Sequence, residues 1–306
     1  MSKRYSLEEV KRKVIDVLKD VDTGLSGIEM AERTGINRIT ITKYLGILEA
    51  LGLLKRKKVG MVNVWYLQQG VSELELPIDM LDVQRLYMNA VFRNAEDEAR
   101  RLILNVIYSE VDPIRILAEV LTPTLNTAGE LYSRGRMTVT EVMLITNLVA
   151  ETLDLIKFNA ERAGPKSGAY AVFMSAQGET HTIGPKVAAV AFYLRGWETY
   201  YLGNVASEVD LLFDIDLLKF LNKIWTAEKG MMVIGVSVTR REHLKGVGAT
   251  LKSVRSKFGK NLYVLAGGEA FGSEDELTAS VGADFIAKDL YSAVEWAEKL
   301  HSKARI

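Results

Sequence analysis

The densest chemistry in this 306-residue chain lies in one run, Gly178-Glu179-Thr180-His181-Thr182-Ile183-Gly184, between a strand-like apolar segment and a helix-like one. An imidazole at the carboxyl end of a parallel strand stands where open α/β sheets bind ligands. A neutral ring nitrogen there can coordinate a metal if the other nitrogen has an acceptor that fixes its tautomer. Glu179, two residues earlier, is placed to be that acceptor. Gly184 lets the backbone come close to a bound group, and Pro185 suits the first position of a helix. Taken alone, a histidine at a strand end is more often a hydrogen-bonded surface residue than a ligand. Two later stretches bear on the choice: Gly235-Val236-Ser237-Val238-Thr239 and Ala266-Gly267-Gly268-Glu269, each closing a further apolar strand. They bring Ser237, Thr239, Gly267 and Gly268 to the same crevice, where small residues leave a narrow slot. The two hydroxyls either bond a ligand or cap strand ends.

A second set of reactive side chains lies near the N-terminus. Asn37, Arg38, Thr40, Thr42 and Lys43 open a helix, where a recognition helix contacts base edges and phosphates of double-stranded DNA. Lys55, Arg56, Lys57 and Lys58 follow in a hairpin-like stretch and would contact the DNA backbone, adding affinity without sequence choice. The alternative is a solvated face on a protein-interaction module.

The elements that position these residues follow from periodicity and caps. Residues 7–19 form an amphipathic helix, Ser26 caps a second that ends near Gly35, and Asn37 caps a third that runs through Leu51. A basic hairpin turning at Gly60 completes a winged helix-turn-helix order over residues 1–70. Residues 71–79 read as a linker, and 80–165 as a four-helix bundle with helices at 80–94, 95–109, 113–134 and 139–163. Thr138 to Glu141 is a capping box at the head of the last. From 166 to 306 strand and helix alternate: strands 170–175, 199–202, 231–237, 262–266 and 284–287, helices 184–195, 209–228, 243–257, 274–280 and 290–302. Five such units make a doubly wound parallel sheet.

Composition narrows the function. There are no cysteines and three histidines, which excludes disulfides, thiolate metal sites and cysteine nucleophiles and leaves a metal to histidine, carboxylate or a prosthetic group. No apolar run approaches the roughly 18 residues of a membrane span and no secretory segment opens the chain, so a cytoplasmic protein with no membrane partner is expected. The formal net charge is zero, yet residues 1–70 hold 13 Lys/Arg against 8 Asp/Glu, a net of +5 at the end expected to meet a polyanion.

The three strand-end motifs together resemble the cobalamin-binding pattern Asp/Glu-x-His-x-x-Gly, Ser-x-Leu/Thr, Gly-Gly, and residues 169–306 resemble the flavodoxin-like domain of cobalamin-binding proteins. The segment Leu121-Thr122-Pro123 to Gly135 resembles their helical cap, and the whole chain, with its N-terminal helices, resembles CarH-like cobalamin-dependent photoreceptor repressors. The resemblance implies a cobalamin, in adenosyl or methyl form, with His181 as its lower axial cobalt ligand and Glu179 supporting it. It implies that the cofactor's tail lies among Ser237, Thr239, Gly267 and Gly268, and that Tyr132 and Glu141 face it from the cap. The implied protein is a non-enzymatic, corrinoid- or light-sensing transcription regulator, acting as a homodimer or homotetramer. Three departures qualify this. A long segment with Asp210, Asp214 and Trp225 separates Gly184 from Ser237. Tyr132 and Glu141-Val142 stand where the photoreceptors have Trp and Glu-His, and the cap holds no histidine. Corrinoid binding therefore carries over further than light sensing. The alternatives are a corrinoid methyl carrier of a methyltransferase system, or a regulator whose corrin site takes another ligand.

Overall fold

The computed structural model describes residues 5–19, 21, 23–67, 79–107, 109, 111–176, 178–179, 181–204, 213–271 and 282–304. The chain divides into two compact units, Met1–Asn159 and Ala160–Ile306. The expected helix 274–280, most of the linker 71–79, and Asp210 lie outside the described residues.

In the first unit, α1 (Leu7–Leu18) starts at Ser6, whose hydroxyl accepts from the Glu9 N–H. A two-residue strand β1 (Leu25–Ser26) precedes α2 (Gly27–Thr34), which opens with a reciprocal Ser26–Glu29 capping box and closes on left-handed Gly35. Asn37 caps α3 (Arg38–Ala50), and β2 (Leu54–Val59) and β3 (Val62–Leu67) form the hairpin. The expected order of three helices and a basic hairpin is thus present. The strand order is β1-β3-β2, so β1 adds a third strand that is too short to show a period-2 pattern. Val10, Val14, Met30, Ile41, Leu45, Leu48 and Trp65 fill the core beneath it.

The same unit continues with α4 (Met80–Phe92), capped by Asp79, and α5 (Glu96–Ile107). The single helix expected at 113–134 is a composite: a short α6 (Pro113–Arg115), a π-helical stretch Ile116–Leu121, and α7 (Thr122–Ser133). Pro123 removes a backbone donor at this point, and the hydroxyls of Thr122 and Thr124 donate to the carbonyls of Leu117 and Val120. Helix α8 (Val139–Asn159) ends four residues before the expected 163. The chain then leaves for the second unit, where Ala163 N–H bonds Leu194 O and Lys166 N–H bonds Gly196 O. Two buried contacts fasten the first unit: Tyr87 Oη donates to Thr152 Oγ1, and Lys11 Nζ on α1 reaches Asn105 O at 3.0 Å and Ser109 Oγ at 2.6 Å beyond α5.

The second unit alternates β4 (Ala169–Ser175), α9 (Ile183–Leu194), β5 (Glu198–Asn204), α10 (Phe213–Ile224), β6 (Met231–Ser237), α11 (Leu244–Phe258), β7 (Leu262–Gly267), β8 (Phe285–Ile286) and α12 (Leu290–Ala304). All pairings in the sheet are parallel and the order is β5-β4-β6-β7-β8, so the chain reverses its direction of travel between β4 and β6. The expected helix 209–228 is shorter, 213–224 followed by a single 3-10 turn at Ala227–Lys229. Trp225 at its end is fully buried and its indole N–H bonds Gly230 O, which makes it a packing residue. Gly235 in β6 is required by packing, since a Cβ there would stand 2.3 Å from the Phe173 ring. No helix among the described residues is long and apolar enough to cross a membrane.

Candidate corrinoid site

The carboxyl ends of β4 and β6 flank the reversal point of the sheet, and Ser175, Ser237 and Gly267 sit in one register row across β4, β6 and β7. The loops that follow these ends carry the predicted residues, so Glu179, His181, Gly184, Ser237, Thr239, Gly267 and Gly268 come together at one edge. The loop after β4 is folded back by main-chain bonds: Ala176 N–H to Ser237 O, Glu179 N–H to Ala176 O, and the Ser175 hydroxyl to His181 O. Across from it, Gly184 at the head of α9 faces Ser237, whose hydroxyl would lie 3.6 Å from any Cβ at 184.

Glu179 is buried, 1% exposed, whereas the His181 side chain is 59% exposed. Glu179 Oε1 accepts from the backbone N–H groups of Thr239 at 2.7 Å and Arg240 at 2.8 Å. Its other oxygen, Oε2, stands 3.9 Å from His181 Nδ1. Burial raises the carboxyl's pKa, but the bonds from Arg240 N–H, His243 and Thr239 N–H outweigh it and hold the group below its ordinary value, as a carboxylate. Among the described residues no cluster of three or more His, Cys, Asp or Glu could cage a metal by itself. The donor set is one supported imidazole, which fits a metal that arrives with most of its ligands in a prosthetic group.

The other predicted residues are placed as follows. Thr239 acts through its backbone N–H toward Glu179, a contact that hydroxyl-based reasoning did not foresee. Gly268 has φ +109°, and a Cβ there would stand 2.3 Å from Val238 O, whereas the nearest atom to a Cβ at Gly267 is Ala287 O at 3.9 Å. Tyr132, 51% exposed on α7, and Glu141 belong to the first unit. Glu141 closes the capping box of α8: its Oε2 accepts from Thr138 N–H at 2.7 Å and its own N–H bonds Thr138 Oγ1. Of the DNA-contact candidates, Arg38, Thr42, Lys43, Lys55, Lys57 and Lys58 are exposed, and Thr40 is half-buried. The Asn37 side chain caps α3. Arg56 is exposed as well, and its guanidinium pairs with Glu49 at 3.2 Å and lies over the Trp65 ring.

His243, to which no role was assigned from sequence, is the site residue that was missed. It follows β6 in a single 3-10 turn, Arg241–His243, and its Nδ1 stands 3.1 Å from Glu179 Oε1. Its place at the end of a strand neighbouring the His181 loop was the available signal. The third histidine, His301, is structural: Nε2 is 3.1 Å from Ser167 O and the ring packs by Trp197.

Residues 83–157, which span α4 to α8, match the sequence profile of the family described as B12 binding domain. The chain is 22% identical over 193 residues to dimethylamine corrinoid protein 3 of Methanosarcina acetivorans, covering 63% of this chain and 84% of that protein. It is 24% identical over 196 residues to the dimethylamine corrinoid protein of Methanosarcina barkeri, covering 62% and 84%. The structure of the Methanosarcina barkeri monomethylamine corrinoid protein shares the fold, with a TM-score of 0.59 at 14% identity over 72% of this chain and 100% of that one. More than a quarter of this chain therefore has no counterpart in that structure. The B12 binding domain match over residues 83–157 and the corrinoid protein relatives support the expected corrinoid cofactor.

Proposed function

We propose that the protein is a corrinoid carrier, with His181 as the lower axial ligand of cobalt and Glu179 behind it. When bound, the corrinoid supplies a cobalt centre able to accept and donate a methyl group, and a methyltransferase is the partner class. Glu179 fixes the His181 tautomer, Gly184 and Gly268 keep the backbone close, and Ser237, Thr239 and Gly267 line the place for the cofactor's tail. Tyr132, in the first unit, is proposed as a further corrinoid contact. The observation that carries this is the buried Glu179 carboxylate 3.9 Å from an exposed His181 at the reversal point of the sheet. The relatives named as dimethylamine corrinoid proteins favour the carrier over a sensor. In titration with methylcobalamin the protein should take on a histidine-ligated corrinoid spectrum. A His181→Ala variant that binds equally well with an unchanged spectrum would remove that residue from its role.

A second reading, a corrinoid-responsive transcription regulator, is favoured by one observation: residues 1–70 carry a net charge of +5, and Arg38, Lys43, Lys55, Lys57 and Lys58 are exposed on α3 and β2. A winged helix-turn-helix of this kind would bind double-stranded DNA as a homodimer or homotetramer, the corrinoid favouring one arrangement of the chain. DNA retention that weakens with salt, with the slope of log K against log salt reduced by about 1 for each of Lys57→Ala and Lys58→Ala, supports the regulator. Methylation of the loaded protein by a partner enzyme without DNA retention supports the carrier alone.

A further inference from the structure

Glu179 has a second histidine beside it, the half-buried His243. Its Oε1 accepts from the N–H groups of Thr239 and Arg240, and the ring of His243 stands beside the same oxygen with Nδ1 at 3.1 Å, all three from the chain just beyond β6. The His243 side chain is 17% exposed and that of His181 59%, and the carboxylate between them is 1% exposed. The approach of the His243 ring depends on Gly178, where φ is +82° and a Cβ would stand 3.2 Å from Nε2. On its outer side Nε2 stands 3.6 Å from Glu242 Oε1. The His243 ring reaches the same oxygen from a side chain rooted in the next loop, and the other oxygen, Oε2, stands 3.9 Å from His181 Nδ1.

We infer that His243 is a positioning residue for the cobalt ligand: it clamps Oε1 of Glu179 so that Oε2 supports Nδ1 of His181, and it ties the loops after β4 and β6 into one rigid edge. The inference rests on His181 being the lower ligand. Outer partners of a metal-bound histidine are commonly worth about 10–100-fold in metal affinity, and that is the loss expected on removing this one.

The full-length protein is titrated with methylcobalamin, and cob(II)alamin-loaded protein is read by electron paramagnetic resonance, in which a coordinated histidine nitrogen splits the cobalt lines. His243→Ala should bind methylcobalamin about 10–100-fold more weakly and lose much of the nitrogen splitting. His243→Asn, whose amide N–H₂ replaces Nδ1 as donor, should recover most of both. Circular dichroism of the unloaded variants checks the fold. Should His243→Ala fold poorly, His243→Phe fills the same space without a donor and must show the same loss. Unchanged affinity and splitting in the donor-free variants overturn the inference. If His181→Ala also keeps the splitting, the lower-ligand assignment itself fails; if it loses the splitting while His243→Ala keeps it, the inference about His243 alone fails.

Discussion

At the scale of single residues, the two glycines after β7 differ in what they do. Gly268 is required by the backbone, with φ +109° and Val238 O only 2.3 Å from where a Cβ would stand, whereas a Cβ at Gly267 would meet nothing nearer than 3.9 Å. Gly268→Ala should therefore cost about 1–3 kcal/mol in chemical unfolding, the usual magnitude of local backbone strain. Gly267→Ala should leave unfolding nearly unchanged and weaken methylcobalamin binding, because its proposed role is to leave space for a ligand. Equal losses of stability in the two variants would contradict this division. The Gly-Gly pair was legible in the sequence as a pair. Which member the fold needs was not, because that depends on the carbonyl of Val238 in a different loop.

At the scale of elements, capping explains a residue that resemblance had drawn toward the ligand. Glu141 is bonded to Thr138 at the head of α8, and those bonds, first from the Thr138 backbone and then from its hydroxyl, lower its pKa below the ordinary 4.5. A depressed carboxyl pKa contributes stability that is present above 4.5 and is lost as pH falls through the folded-state value. Thermal midpoints measured from pH 6 down to pH 3 should thus fall less steeply in Glu141→Gln than in the parent. Methylcobalamin affinity at neutral pH should be unchanged, and a large loss there would return Glu141 to the ligand site. The basic hairpin, the alternating α/β pattern and the described helices other than the composite one at 113–133 were readable from periodicity and caps. The strand β1 and the π-helical stretch before Pro123 were not, since two residues show no period and a π turn is decided by how neighbouring carbonyls are satisfied.

At the scale of the molecule, the N-terminal helices and the α4–α8 helices share one compact unit, and a lysine lies where they meet. Lys11 is 2% exposed, with its ammonium on Asn105 O and Ser109 Oγ. Charge and amphipathic pattern place it on the polar face of α1, exposed to water. Only tertiary packing buries it. Lys11→Met, which keeps the volume and removes the donors, should lower stability by about 1–3 kcal/mol and speed hydrogen exchange of the α1 amides. Unchanged exchange in α1 would show that the lysine does not fasten the helix.

The sequence alone determined the order of elements, the ends of the strands and the residue types waiting there, because local periodicity and backbone preference act over a few positions. It identified His181 and Glu179 together because they are two residues apart. The tertiary structure decided the rest: that Arg56 turns to Glu49 and Trp65, that Thr239 serves through its N–H, and that His243 stands at the carboxylate of Glu179. Those contacts join positions up to 64 residues apart through a parallel crossover. They depend on which strands lie side by side, and strand order is set by the packing of the whole sheet.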